Sequence, residues 1–193
     1  MIKQTKPFVL WLTGLSGAGK STLANSIYDH LINKGHRVEK LDGDYMRALF
    51  PSTGFTKEAR DEHIKRVSFV ASLLEKHDVI VIASFISPYR EIRRFVRQRC
   101  KNFIEVHVST SLEECERRDV KGLYKKARAG EVKNFTGIDD PYEEPENPEI
   151  IVDTENQTIE QSVTIIQDYI ERYIYDFNKE DLEELEKIEI YNI

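Results

Sequence analysis

The sequence predicts an α/β fold, a three-layer arrangement in which a parallel sheet is flanked by helices and a long connection serves as a mobile lid. Three observations carry this. Short apolar runs alternate with amphipathic stretches along most of the chain, the rhythm of strands and covering helices. One run, Val79-Ile80-Val81-Ile82-Ala83, is apolar at every position, as a central strand buried on both faces must be. A glycine-rich turn joins the first apolar run directly to the first amphipathic stretch.

The candidate strands are Phe8–Thr13, His36–Leu41, Val79–Ala83, Phe103–Val108 and Glu149–Val152. Helical periodicity marks Lys20–Asn33, Lys57–Lys76, Tyr89–Cys100, Leu112–Asp119 and Thr158–Tyr175. Ser111, with Glu114 three residues on, predicts a capping box at the start of the fourth of these. Lys121–Pro148 breaks the rhythm: charged and rich in Gly and Pro, it has little periodicity beyond a short basic helix. A connection of that length in a compact domain is a functional lid or an insert. With 193 residues the chain holds one well-buried domain, expected over 1–175, followed by an acidic helical tail over 176–193.

Lys and Arg number 28 against 34 Asp and Glu, a net charge of −6, so the bulk field recruits neither nucleic acid nor a membrane surface. An anionic substrate must be met by local basic groups. Two cysteines, Cys100 and Cys115, lack metal-type spacing and are expected to be inert thiols in a reducing compartment. The apolar run after Pro7 is too short for a signal or a span, and the expected location is cytoplasmic.

Gly14-Leu15-Ser16-Gly17-Ala18-Gly19-Lys20-Ser21 fits G-x-x-x-x-G-K-[ST] and lies where its mechanism requires, after a strand and before a helix. Glycines let successive N–H groups curl around phosphate oxygens, and the helix start adds its unpaired donors and positive dipole end. Lys20 is placed for the β- and γ-phosphates of ATP, and the Ser21 hydroxyl for Mg²⁺. A chance match occurs in about one chain of this size per hundred or two, fewer with the flanking elements right.

Leu41-Asp42-Gly43-Asp44 closes the second strand, and the carboxyl ends of strands are where open α/β sheets bind ligands. One carboxylate there suits Mg²⁺ and its waters, the other the proton of an attacking hydroxyl; the plainer alternative is an Asp-Gly turn with a helix cap. Arg47 follows one turn later, and Arg60, Lys65 and Arg66 lie on the next helix, each a clamp for anionic groups or a surface charge. Phe55 reads ordinarily as a core residue, and composition does not separate that from a stacking face. Pro88 halts the third strand, leaving Ile86 and Ser87 free to meet a ligand, unless Ser87 is a satisfied turn serine.

From Phe8 to about Ile170 these motifs resemble the adenylylsulfate kinases. The phosphate loop through Thr22, Asp42-Gly43-Asp44 with Arg47, and Ile86-Ser87-Pro88-Tyr89-Arg90 all match that family's forms. The most specific match is Lys121-Gly122-Leu123-Tyr124-Lys125-Lys126-Ala127-Arg128-Ala129-Gly130, continuing through Phe135-Thr136-Gly137-Ile138-Asp139-Asp140-Pro141-Tyr142-Glu143. The resemblance implies a P-loop kinase fold, a homodimer, and transfer of phosphate from ATP, with Mg²⁺, to the 3′-hydroxyl of adenylyl sulfate. Asp44 is then the base, with Lys20 and Ser87 the other catalytic candidates, and Asp42 supports the metal. Phe55 and Phe135 sandwich the adenine, Arg47 and Arg60 hold the phosphosulfate, and His63, Ile86, Lys121 and Lys125 complete the acceptor contacts. Ser87 matches a family position described as a phosphorylated serine; direct in-line transfer leaves it as a substrate contact.

Three departures fall on the acceptor side: His63 where many members carry Asn, Tyr45-Met46 after the acidic motif, and the segment 48–54. They leave a related kinase for another nucleotide diphosphate analogue as the alternative. A non-catalytic nucleotide-binding regulator is the remaining reading, disfavoured by the joint presence of Lys20, Ser21, Asp42 and Asp44.

Overall fold

The computed structural model describes residues 6–50 and 54–190, with backbone only over 175–190. In chain order it contains β1 (Val9–Thr13), α1 (Lys20–Asn33), β2 (Val38–Asp42), α2 (Gly43–Leu49), α3 (Lys57–Lys76), β3 (Ile80–Ser84), α4 (Arg90–Arg99), β4 (Phe103–Ser109), α5 (Leu112–Arg118), α6 (Leu123–Arg128), β5 (Ile150–Asp153) and α7 (Ile159–Ile190). The strands form one parallel sheet in the order β2-β3-β1-β4-β5. The predicted α/β architecture is therefore present.

Both β1 and β3 are buried at every position, and β1 rather than β3 is the middle strand. Alternate residues of the sheet feed two cores. Leu10, Leu12, Ile82 and Val106 pack with Leu23, Ile27 and Leu31 of α1 and Ile166 and Ile170 of α7. Val9, Trp11, Val81 and Ala83 pack with Ile64, Val67 and Ala71 of α3 and Ile92 and Val96 of α4. Each such fully buried aliphatic side chain contributes roughly 1.5–3 kcal/mol, so the carboxyl ends of the strands are held as a rigid platform.

Local corrections follow from tertiary partners. Asp42-Gly43 opens a helix, α2, which periodicity alone did not reveal. The capping box at α5 is half formed. Ser111 Oγ accepts from the Glu114 amide at 3.2 Å, but the Glu114 carboxylate turns to Arg117 and Arg118 instead of reaching back. The last helix does not stop at Tyr175; α7 runs on through the acidic segment to Ile190. No helix among the described residues is long and apolar enough to cross a membrane.

Leu12 is fully buried and Ile151 is 59% exposed. Leu12→Ala is expected to lower unfolding free energy by about 2–5 kcal/mol, and Ile151→Ala by under about 0.5 kcal/mol, in urea titrations of the two variants.

Candidate active site

The phosphate loop sits where β1 meets α1, and its conformation depends on glycine. Gly14 has φ +156°, and a Cβ there would lie 2.5 Å from the Val108 carbonyl oxygen on β4. Gly19, in the left-handed region at φ 96°, precedes α1 and offers no side-chain cap, so the first amides of that helix point into the loop unused by any side chain. The buried Lys20 ammonium folds back onto the Leu15 carbonyl at 2.7 Å. Burial pulls its pKa down to about 8; Lys121 adds to the effect, while Cys115, Asp42 and Asp44 oppose it.

Asp42 is a helix cap that also meets the phosphate-loop serine. Its Oδ1 accepts from the Asp44 amide at 3.0 Å and so caps α2, while its Oδ2 accepts from Ser21 Oγ at 3.0 Å. The cap leaves one carboxylate oxygen facing the foot of the phosphate loop. Ser84 Oγ, at the end of β3, lies 3.4 Å from Ser21 Oγ. Oxygen donors converging beside a phosphate cradle suit a hard divalent cation such as Mg²⁺. Asp44, one residue into α2, is exposed and ion-paired with Lys121 from the lid.

A cleft of about 640 Å³ runs along the strand ends. Phe55 and Phe135 both line its acceptor side, joined through one arginine. Arg60, buried on α3, donates from Nε to the Phe55 carbonyl (2.8 Å), from Nη1 to Thr136 Oγ1 (2.8 Å) and from Nη2 to the Asn134 carbonyl. The guanidinium drawn as an anion clamp thus spends three donors on the protein, tying the two aromatic walls together. Phe135 meets Tyr124 edge to face at 5.0 Å, and the Tyr124 hydroxyl donates to the Ser16 carbonyl, linking lid to phosphate loop. Arg47 lies over the Phe55 ring at 4.6 Å and donates to the Gly54 carbonyl.

His63 is 1% exposed at the cleft, between Phe50 and Phe85, and neither ring nitrogen has a hydrogen-bond partner among the described residues. Burial first, then the charges of Arg47 and Arg66, lower its pKa to about 4. The imidazole is therefore neutral near pH 7, a donor without an acceptor.

Other sequence expectations fare differently. The Ser87 hydroxyl is not left free by Pro88. It accepts from Trp11 Nε1 (3.0 Å) and donates to Thr13 Oγ1 (3.1 Å), and the Ile86 carbonyl accepts from Thr13 Oγ1 (2.7 Å). Ser87 also sits at φ 39°, with its carbonyl held by Arg93 Nη1. Lys125 is exposed and lies outside the cleft lining, and Arg66 pairs with Glu62 on the outer face of α3. Of the departures, Tyr45 is 62% exposed and Met46 is buried in the α3-side core, so His63 alone of these three reaches the cleft; residues 51–53 lie outside the described residues.

Sequence reasoning missed the far end of the cleft. Arg118, Thr154, Gln157 and Ile159 line it beside Thr22 and Leu23 of α1. Arg118 Nη2 donates to the Thr154 carbonyl at 2.6 Å, and Thr154 Oγ1 to the Ala18 carbonyl at 2.8 Å. The basic end of α5 was the one available signal. The juxtaposition with β5 is a product of the fold.

Comparison with known proteins places the chain among relatives of one family. The family model described as adenylylsulphate kinase matches residues 6–153. An adenylyl-sulfate kinase of Halothermothrix orenii is 51% identical over 175 residues, covering 90% of this chain and 95% of that protein. One from Microcystis aeruginosa is 58% identical over 155 residues, covering 80% and 86%. The APS kinase of Mycobacterium tuberculosis, solved with AMPPNP and APS, superposes with a TM-score of 0.82 at 40% identity, covering 86% of this chain and 99% of that one.

A bound phosphate anion favours the protonated form of Lys20, so nucleotide binding takes up a proton wherever the empty site has lost one. Metal-free ADP affinity is expected to be flat from pH 6.5 to 7.5 and to fall by about tenfold per pH unit above pH 8. Titration calorimetry in two buffers of different ionisation enthalpy measures the affinity and the proton uptake together.

Proposed function

This chain belongs to the adenylylsulphate kinase family, and on that footing we propose that it transfers the γ-phosphate of ATP to the ribose 3′-hydroxyl of adenylyl sulfate, giving ADP and 3′-phosphoadenylyl sulfate. The observation that carries the reading is the placement of Asp44 in one cleft with the Lys20 cradle on one side and two aromatic faces, Phe55 and Phe135, on the other. A purine stacked between those faces would present its ribose toward the strand ends, where the carboxylates stand.

In this scheme Gly14–Thr22 holds the ATP phosphates, with the loop amides and α1 as donors and Lys20 on the β- and γ-groups. Asp44 accepts the 3′-hydroxyl proton as the oxygen attacks the γ-phosphorus in line; the new O–P bond forms as the bridge to the β-phosphate breaks, and ADP leaves. Lys121 must leave Asp44 for that to happen, and the nucleotide phosphates offer it a stronger partner. Arg47, Ile86 and Ser87 border the acceptor, Ser87 as a held positioning group rather than a phosphate carrier, since its hydroxyl is enclosed. Arg60 shapes the slot from behind. His63 offers one neutral ring N–H to an acceptor oxygen.

Mg²⁺ belongs to the same proposal: Ser21 Oγ and Asp42 Oδ2, which meet at 3.0 Å, would hold it and its waters. Bound there, it supplies charge neutralisation on the transferring phosphoryl group. A homodimer, a cytoplasmic location, and a catalytic body of 1–175 with a separate acidic tail complete the proposal. They rest on the resemblance and composition.

A coupled ADP-release assay should show turnover with adenylyl sulfate; robust turnover with a different nucleotide acceptor and none with this one would sink the assignment. Asp44→Asn is expected to lower kcat by about 10²–10⁴-fold while ATP affinity, read by calorimetry, changes by less than about threefold. His63→Asn should leave the shape of the kcat/KM profile for adenylyl sulfate unchanged between pH 5.5 and 8. The free-enzyme imidazole titrates at about 4, below that window. An inflection near 6.5 that vanishes in the variant would contradict the neutral donor.

A further inference from the structure

In P-loop nucleotide hydrolases an acidic residue on a neighbouring strand helps hold the metal beside the phosphate-loop Ser or Thr. In this chain the strand paired with β1 on the acidic-motif side is β3, and its last residue is Ser84, a neutral hydroxyl. The carboxylate stands one strand further out, at Asp42, whose register partner across the β2–β3 pair is Ser84 itself. Residues in register point to the same face, so the two side chains stand together.

Ser84 is 4% exposed and lines the cleft. The one contact its hydroxyl makes among the described hydrogen bonds is the long 3.4 Å approach to Ser21 Oγ. Ser21 already donates to Asp42 Oδ2, at 3.0 Å, and Asp42 Oδ1 is taken by the α2 cap. The three oxygens Ser21 Oγ, Asp42 Oδ2 and Ser84 Oγ thus face one another at the foot of the phosphate loop, with only one carboxylate oxygen among them.

Mg²⁺ binds with several of its waters retained, and those waters need acceptors. A buried hydroxyl with lone pairs to spare, beside the metal-binding serine, meets that need. We propose that Ser84 is a positioning residue of the divalent-cation site, accepting a hydrogen bond from a metal-bound water and so dividing between two strands the work an acidic residue performs alone elsewhere. The inference rests on the kinase reading for the presence of a metal-nucleotide, but not on the identity of the acceptor.

The test reads the metal directly. Mn²⁺ binding to the enzyme saturated with a non-hydrolysable ATP analogue is followed by electron paramagnetic resonance, and metal-free ADP binding is followed by calorimetry in chelator. Ser84→Ala is expected to weaken Mn²⁺ by about tenfold with metal-free ADP affinity unchanged, within the range for outer-shell partners of a metal. Ser84→Asp is expected to bind Mn²⁺ more tightly than the wild type, because it restores an acid at the end of the adjacent strand. Unchanged Mn²⁺ affinity in Ser84→Ala overturns the proposal. So does an equal loss of Mn²⁺ and metal-free ADP affinity, which would mark Ser84 as mere support for the loop. If the acceptor assignment were wrong, turnover with adenylyl sulfate would be absent in the wild type while these metal affinities behaved as described.

Discussion

An unsatisfied cationic cradle sits at the centre of an otherwise anionic protein, and the rest of the site is arranged around it. Gly14 lets the chain turn against the Val108 carbonyl with no room for a side chain, and the turn delivers the uncapped start of α1 and the buried Lys20 to one point. Among the described residues the Lys20 ammonium has the Leu15 carbonyl as its one hydrogen-bond partner, and desolvation lowers its proton affinity. An anion supplies at once the missing helix cap and the missing counter-charge. A net charge of −6 does not prevent this, because the favourable groups are local and desolvated, whereas the opposing field is spread through solvent and screened.

The acceptor half is organised by two buried arginines that stitch distant segments together. Arg60 joins the backbone at Phe55 to Asn134 and Thr136, so the two aromatic walls are assembled as a unit. Arg93, 3% exposed, bonds Glu105 on β4 at 2.9 Å, the Ser87 carbonyl at 2.6 Å and the Glu143 carbonyl. It thereby fixes the unusual backbone of Ser87 and pins the lid's descending strap to the sheet, where Tyr142 also meets Thr13 at 3.1 Å. Removing one member of such a buried pair leaves an uncompensated charge, at a cost of roughly 3–5 kcal/mol. The rigidity of the acceptor wall therefore comes from the buried guanidinium hydrogen bonds beneath it and from the Arg93–Glu105 ion pair.

The sheet was legible because its signal is local. Every strand was placed to within two residues at each end, and α1 and α3 matched their predicted bounds, since both have a clean apolar stripe and defined starts. The phosphate loop was equally legible, its glycines and Lys-Ser pair being contiguous. The helix cap read as the plainer alternative at Asp42-Gly43 is present, with the Asp44 amide on Asp42 Oδ1, but the extent of α2 to Leu49 was not legible from periodicity. The roles of Arg60 and Ser87 were out of reach, as their long-range partners lie 74 to 76 residues away in sequence. Ser84 carried no signal of its own; its meaning comes from strand order and from its register with Asp42.

The most direct test of this account is a crystal structure with adenylyl sulfate and a non-hydrolysable ATP analogue bound together. The account predicts the acceptor adenine between Phe55 and Phe135, its ribose 3′-oxygen within hydrogen-bond reach of the Asp44 carboxylate, and Lys121 moved from Asp44 to the phosphates. An adenine seated elsewhere, or a 3′-oxygen turned away from Asp44, would contradict it.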